Sequence, residues 1–206
     1  MGPVIEQPRN ARSRRTAQAL LASARALLET HGFEAMTMAA VADRAGVTRR
    51  SVYLHFPSRV ALLAALFEYV KDAEGFARSV APVWNAPDAV TALHEWAAHI
   101  ARFTPRILAV AQAVERVHRD DPDAAAHRAL VTRARHADCR RLVTWLAEEG
   151  RLADQWTLDE ATDMLLALSS LNIVETLLVD RRWSRRRFVE HLTALLHATF
   201  VADRVD

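Results

Sequence analysis

The stretch Thr37–Arg59 constrains the fold of this chain more than any other part of the sequence. Its first half has apolar residues at the spacing i, i+3, i+4 and i+7, which is typical of one face of a helix. These residues are Met38, Val41, Ala42 and Ala45. Gly46 supplies a turn, and Thr48 opens a second helix in which Val52 and Phe56 lie four residues apart. Two short helices joined by a tight turn predict a helix-turn-helix, an element that reads DNA.

The composition predicts an all-α protein. Hydrophobic residues make up 51% of the 206 positions, which is enough for a packed core, and alternating patterns of the kind that form strands are absent. The single cysteine, Cys139, excludes an intramolecular disulfide and suits a reducing cytoplasm. We found no apolar run of about eighteen residues, so we expect a cytoplasmic protein with no membrane partner.

The charge is distributed unevenly along the chain. Residues 1–60 have nine arginines and four acidic residues, a net charge of +5, whereas the remaining residues have 18 basic and 21 acidic side chains, a net charge of −3. A basic first third indicates a surface that binds a polyanion. The alternative is an ordinary solvated surface in a protein that has 26 arginines and one lysine.

The sequence predicts three regions: a basic arm at 1–12, a helix-turn-helix domain at 13–58 and a second helical domain at 59–206, whose roles are considered below. About nine helices are expected. A helix at 13–31 supports the helix-turn-helix, and glycine, proline and capping residues delimit the others. The later helices are predicted at 59–80, 87–105, 106–118, 123–150, 159–180 and 184–201.

The segment 14–67 resembles the DNA-binding domain of the TetR family of bacterial transcriptional regulators. The residues that carry this resemblance are Ala24, Leu27, Leu28, His31-Gly32-Phe33, Thr37, Val41-Ala42, Ala45-Gly46-Val47, Tyr53, Phe56, Ser58-Arg59 and Leu62. Arg50 stands where the family often has glycine, and Arg59 where it usually has lysine. The resemblance implies a C-terminal helical bundle, a homodimer and double-stranded operator DNA as a partner.

The polar side chains of the helix-turn-helix are the candidate DNA contacts. Neighbouring residues project about 100° apart on a helix, so one of Arg49 and Arg50 is expected on a guanine edge and the other on a phosphate. Thr37 and Thr48 stand at helix starts, where amide groups favour phosphate. The predicted DNA-binding residues are Thr37, Thr48, Arg49, Arg50, Ser51, Tyr53, His55 and Arg59.

The last two predicted long helices have more apolar surface than one core requires. The helix at 159–180 has one wholly apolar stripe and an adjacent stripe interrupted only by Asn172 and Glu175. A helix that is apolar around more than half its circumference must bury two faces. The resemblance implies that these helices form a four-helix dimer interface, and the alternative is a single large core. The predicted interface residues are Leu171, Val174, Leu178, Phe188, Leu192, Leu195 and Phe200.

The C-terminal bundle is expected to bind a small-molecule effector of unknown identity. All five tryptophans lie beyond residue 80, and aromatic walls with a few polar groups are typical of ligand pockets. The candidate ligand-binding residues are Trp96, His99, Phe103, Gln112, Glu115, Trp145, Asn172 and Glu175. Each of them has a simpler interpretation as a core aromatic or as a member of an ion pair.

The sequence offers no complete metal site or catalytic set. Glu95 with His99, or His118 with a neighbouring aspartate, provides only part of a ligand set, and no phosphate loop or nucleophile elbow is found. We therefore expect no metal, no cofactor and no enzymatic activity. The predicted function is a ligand-responsive repressor that releases a pseudo-palindromic operator. The alternative is a helical small-molecule binding protein whose DNA-binding half is vestigial.

Overall fold

The computed structural model describes residues 11–202, and the predicted all-α fold is confirmed. Over these residues the only extended pairing is an isolated antiparallel bridge between Leu152 and Val201. The helices are α1 (Ala11–His31), α2 (Met38–Ala45), α3 (Arg49–His55), α4 (Arg59–Ala73), α5 (Phe76–Trp84), α6 (Ala89–Val117), α7 (Pro122–Glu148), α8 (Leu158–Leu168), α9 (Leu171–Val174) and α10 (Arg185–Phe200). If α8 and α9 are taken as the one helix predicted there, the described residues contain nine helices, as expected.

The chain forms two compact units. Unit 1 comprises the described residues up to Val70 together with Ala109–Arg128, and unit 2 comprises Lys71–Leu108 together with the described residues from Ala129 onwards. The predicted domain boundary after residue 58 stays a prediction. By compactness, α4 up to Val70 groups with the helix-turn-helix. Most of the predicted basic arm lies outside the described residues.

Unit 1 is built on the amphipathic stripe of α1. Leu20, Ala24 and Leu28 are buried, which is the face that the helical spacing predicts. Phe33 and Met36, from the connection between α1 and α2, are buried beside them. These side chains give the two short helices of the helix-turn-helix an apolar surface to pack against.

Unit 2 has a larger core. Its fully buried members come from every helix from α5 to α10, and they include Leu93, Leu142, Leu165 and Phe200. Cys139 lies in this core, where burial raises the pKa of its thiol to about 12. The thiol is therefore neutral at physiological pH and inert as a nucleophile.

Two predicted helix boundaries are wrong. The helix predicted at 59–80 ends at Ala73, because Gly75 adopts a left-handed conformation with φ of +74° and starts α5 in a new direction. Conversely, Pro105 was expected to separate two helices but lies inside the continuous α6. A proline removes one backbone hydrogen bond from a helix, and the packed α6 tolerates this loss.

The helix predicted at 159–180 is interrupted. Ser169 ends α8, and its hydroxyl group donates to the carbonyl group of Leu165 at 2.7 Å and accepts from Trp96 Nε1 at 3.0 Å. After the short α9, residues Glu175–Asp180 form a π-helical turn. The interruption depends on a tryptophan 73 positions away, so local sequence patterns do not reveal it.

Part of the predicted dimer surface is wrong. Val174, Phe188, Leu192 and Phe200 belong to the core of unit 2 and are at most 5% exposed, so they have no surface to offer a partner. Leu171 and Leu178 are half-buried, and Leu195 is exposed. The other large apolar side chains exposed on unit 2 are Leu130, Leu158, Met164 and Val179.

The segment Leu158–Asp180 is also long and apolar enough to cross a membrane, with a mean hydropathy of 1.4 over its most apolar window. Only 22% of that window is buried. The expectation that no apolar run is long enough to span a membrane is therefore wrong for this segment. Length and composition alone are weak support for a membrane span, because an apolar helix covered by another protein chain has the same character.

Candidate nucleic-acid interface

Capping residues set the geometry of the helix-turn-helix. Thr37 Oγ1 accepts from the backbone N–H of Ala40 at 3.1 Å, and Thr48 Oγ1 accepts from that of Ser51 at 3.2 Å. Gly46 ends α2 in a left-handed conformation with φ of +67°, which other residues adopt only with strain. The sequence predicted both caps and the turn.

The outer face of α3 is polar and accessible. Arg49 and Arg50 are exposed, and neither forms an ion pair or a hydrogen bond with another described residue. Val52 is completely buried and holds the helix against unit 1. The guanidinium groups of Arg49 and Arg50 are therefore available to bind bases or phosphates.

The other predicted contacts on these helices divide by exposure. Thr37, Thr48 and Tyr53 are exposed, whereas Ser51 and His55 are half-buried. Each capping threonine uses a lone pair of its oxygen for the cap and keeps its hydroxyl hydrogen free to donate to a phosphate. The half-buried Ser51 and His55 have less surface to offer DNA.

Leu54 is a further candidate DNA contact that was not predicted from the sequence. Its side chain is 77% exposed on α3, although leucine normally lies in a core. An exposed apolar side chain on a helix that enters the major groove can contact the methyl group of thymine. The sequence did contain a signal for this exposure, because Leu54 does not share the helical spacing of the buried Val52 and Phe56.

Arg59 was predicted to contact DNA, but its guanidinium group is directed into unit 1. Nη2 donates to the carbonyl oxygen of Phe33 at 2.8 Å, and Nε donates to that of Met36 at 3.2 Å. Nη1 forms an ion pair with Asp121 at 2.8 Å, and the guanidinium carbon lies 4.0 Å from the centre of the Phe33 ring. We therefore correct its role: Arg59 connects the start of α4 to the loop that precedes α2.

Asp121 is the other half of this connection. Its Oδ1 accepts from the backbone N–H groups of Asp123 and Ala124, so the carboxylate also caps the start of α7. Burial opposes its ionisation, but the hydrogen bond from Ala124 and the charge of Arg59 outweigh burial and keep the pKa of Asp121 below its usual range. One carboxylate thus joins the beginning of α7 to the beginning of α4.

Three of the predicted ligand-binding residues come together in unit 2. Trp96, His99 and Phe103 are all buried on α6, and the rings of His99 and Phe103 stack with centroids 5.6 Å apart. Burial lowers the pKa of His99 to about 4, opposed in part by a hydrogen bond to the backbone of Ser79. The Ser79 hydroxyl group lies 3.0 Å from His99 Nδ1. The ring of Phe76 packs edge-on against His99. As folded, these rings pack against one another inside unit 2.

The remaining predicted ligand residues belong to several different elements of the fold. Gln112 and Glu115 belong to unit 1, where Glu115 pairs with Arg128 at 2.9 Å. Asn172 is exposed and Glu175 is half-buried in unit 2. Trp145 lines a separate groove on α7, described below.

The two histidines considered as partial metal sites in the sequence contact other groups of the protein. His118 Nδ1 lies 2.6 Å from the carbonyl oxygen of Glu115, and the side chain of His99 is taken up by Ser79 and aromatic rings. In the part of the chain that the structure describes, no three histidine, cysteine or acidic side chains group as metal ligands.

Residues 20–66 match the family model for the N-terminal domain of bacterial regulatory proteins of the tetR family. The match spans α2, α3 and their turn, along with most of α1 and half of α4. No curated protein sequence is similar enough to the chain to be matched.

Solved structures share the fold over most of their length. NalD of Pseudomonas aeruginosa, described as the secondary repressor of the MexAB-OprM multidrug efflux pump, has 21% identity and a TM-score of 0.70, with 93% of this chain and 98% of that chain covered. A complex of SmeT with triclosan has 20% identity and a TM-score of 0.71, covering 93% and 94% of the two chains. A Saccharomonospora viridis regulator bound to choline has 18% identity and a TM-score of 0.70, covering 92% and 100%.

Proposed function

Since the chain is a member of the TetR family, with the family's N-terminal domain at residues 20–66 and its fold throughout the described part, we propose that it is a homodimeric transcriptional repressor. In this proposal the cytoplasmic dimer binds a pseudo-palindromic operator through α3 of each subunit. A small molecule that binds unit 2 releases the operator. Efflux-pump control by NalD and ligand binding by SmeT support this class of role.

The exposed face of α3 is the observation that carries the proposal. A helix of seven residues that buries only Val52 and leaves two adjacent arginines free has little structural reason for its outer composition. One of Arg49 and Arg50 would donate in bidentate fashion to guanine O6 and N7, and the other would neutralise a phosphate. Tyr53 and Leu54 would extend the contact surface.

The geometry of operator DNA and the surface of unit 2 both support a dimer. Two copies of α3 read two half-sites about one helical turn apart, which requires a two-fold axis. The exposed Met164, Val179 and Leu195 provide apolar surface that a second copy would cover.

The effect of ligand binding on operator affinity would be transmitted along continuous helices. Both α6 and α7 contribute residues to each unit, and α7 begins at the Asp121–Arg59 ion pair. A ligand that favours one position of α7 would therefore change the support of the loop before α2 and lower operator affinity.

Binding to the DNA upstream of its own gene tests the proposal. Arg49→Ala and Arg50→Ala should each weaken binding by about 1–3 kcal/mol, measured by fluorescence anisotropy, and the base-reading arginine should lose specificity at one operator position. Arg133→Ala, an exposed arginine of α7 in unit 2, is the matched control and should bind like the wild type. A protein that forms no salt-sensitive, competitor-resistant complex is not a regulator of this kind.

A further inference from the structure

Unit 2 has an open groove of about 780 Å³ along α7. It is lined by Trp84, Ala86, Ala137, Arg140, Arg141, Thr144, Trp145 and Glu148. Its volume falls in the range of small-ligand sites, and it combines two indoles with charged groups at both ends. None of the aromatic cluster around His99 contributes to it.

The groove lies on the face of α7 that is turned away from the core. Cys139, Leu142 and Leu146 of the same helix are fully buried, whereas Arg141 and Glu148 are exposed. The small side chains of Ala86 and Ala137 leave space between the indoles and the arginines. A ligand would therefore enter from solvent without opening the bundle.

Arg141 is held in a conformation that suits an anion. Its guanidinium carbon lies 4.0 Å from the centre of the Trp84 ring, so the cation stacks on an aromatic face. A stacked guanidinium keeps its N–H groups in its own plane, where they match both oxygens of a carboxylate. Within the described residues, no carboxylate accepts a hydrogen bond from Arg141.

The neighbouring charges differ in how they are used. Arg140 forms an ion pair with Asp159 at 2.5 Å, so its charge is largely compensated. Asp138 lowers the net positive charge near Arg141 without bonding to it, and burial raises the pKa of that carboxyl group. Of the two arginines in the groove, Arg141 is therefore the one without an ion-pair partner among the described residues, and Glu148 supplies a carboxylate farther along α7.

We propose that this groove binds an aromatic carboxylate with a hydrogen-bond donor at the opposite end. The carboxylate pairs with Arg141, the ring packs against Trp84 and Trp145, and the donor binds Glu148. Arg141 and Glu148 are seven residues apart on one helix, a rise of about 10 Å, which sets the length of the ligand. The role of the groove as an effector site rests on the proposed function, but the binding of the carboxylate to the groove does not.

Isothermal titration calorimetry of the full-length protein tests the site without DNA. The probe is 4-hydroxycinnamate, which has a carboxylate, a planar ring and a phenol in line, and 4-hydroxycinnamide lacks only the charge. We expect the acid to bind at least tenfold more tightly than the amide. Arg141→Leu should remove this preference, and Arg141→Lys, which keeps the charge but not the flat fork, should retain part of it.

Two controls separate the site from a general charge effect. Arg133→Leu, on the same helix and equally exposed, should bind the acid like the wild type. Glu148→Gln should weaken 4-hydroxycinnamate but leave cinnamate, which lacks the phenol, unchanged. Equal binding of acid and amide, no detectable heat, or an equal loss in Arg133→Leu and Arg141→Leu would overturn the proposal. Operator binding is measured separately, so either idea can fail alone.

Discussion

The face of α3 and the aromatic cluster of α6 are both unusually rich in functional side chains, yet they are built in opposite ways. On α3 the polar groups face solvent, with Arg49 and Arg50 unpaired among the described residues. On α6 the rings of Trp96, His99 and Phe103 satisfy one another, and the indole N–H is used by Ser169. Composition therefore identifies a region of interest, whereas side chains that have no partner within the fold identify a candidate site.

The largest effect should come from placing a charge on each exposed apolar surface. Leu195→Asp should convert the proposed dimer to a monomer, because burying an unpaired carboxylate in an apolar interface costs several kcal/mol. Leu54→Asp, at the exposed leucine of α3, should stay dimeric and lose operator binding instead. Analytical ultracentrifugation and anisotropy measure the two properties. A dimeric Leu195→Asp protein would mean that unit 2 associates through another surface.

The second effect concerns the buried ring of His99, whose pKa is lowered to about 4. The unfolded chain binds this proton near pH 6.5 and the folded chain does not, so stability is complete above pH 6.5 and falls as the pH drops towards 4. The loss attributable to His99 is about 3 kcal/mol at pH 4. Urea denaturation at pH 7.5 and pH 4 measures it.

His99→Phe should flatten this pH dependence, and His31→Leu, at an exposed position of α1, should keep it. An unchanged slope in His99→Phe would show that the cluster opens to water readily and is closer to a ligand cavity than its packing indicates.

A smaller effect is expected at Arg59, a basic side chain whose hydrogen bonds are all made within unit 1. Arg59→Met keeps the contact with Phe33 but loses three hydrogen bonds, so the free energy of unfolding should fall by about 2 kcal/mol. A double-mutant cycle with Asp121→Asn should show coupling between the two side chains. If Arg59→Met instead weakens operator binding at unchanged stability, the original prediction of a DNA contact is right.

The smallest effects compare two threonine caps. Thr48 caps α3, and Thr157 caps α8 together with Glu160 in a capping box. Either change to alanine should cost about 1 kcal/mol of stability in chemical denaturation. Only Thr48→Ala should also weaken operator binding, since its hydroxyl group faces the proposed DNA. Equal losses of DNA affinity in both variants would show that folding stability, not contact, is being measured.

Local chemistry determined what the sequence predicted well. The caps at Thr37 and Thr48 and the left-handed Gly46 depend on residues within four positions of one another, and all three have the expected geometry. The stripe of α1 was equally readable, because helical spacing selects its buried face.

Long-range partners determined what the sequence did not predict. Arg59 is drawn away from the DNA face by Asp121, 62 positions later, and α8 ends where Ser169 meets Trp96. In α10, a helix with two apolar faces, spacing alone did not show that Phe188 would enter the core and Leu195 would remain exposed. Whether a side chain has a partner is a property of the fold, and this is also why the groove beside Arg141 was missed.

The burial of Cys139 makes the protein a ready host for spectroscopic labels. The only native thiol is enclosed and protonated at neutral pH, so maleimide and methanethiosulfonate reagents should leave it unmodified. A single introduced cysteine, for example Leu54→Cys on α3, could then be spin-labelled without first removing the native one. Pulsed electron resonance on such a sample would measure the separation of the two copies of α3 in the proposed dimer directly, with and without a candidate ligand.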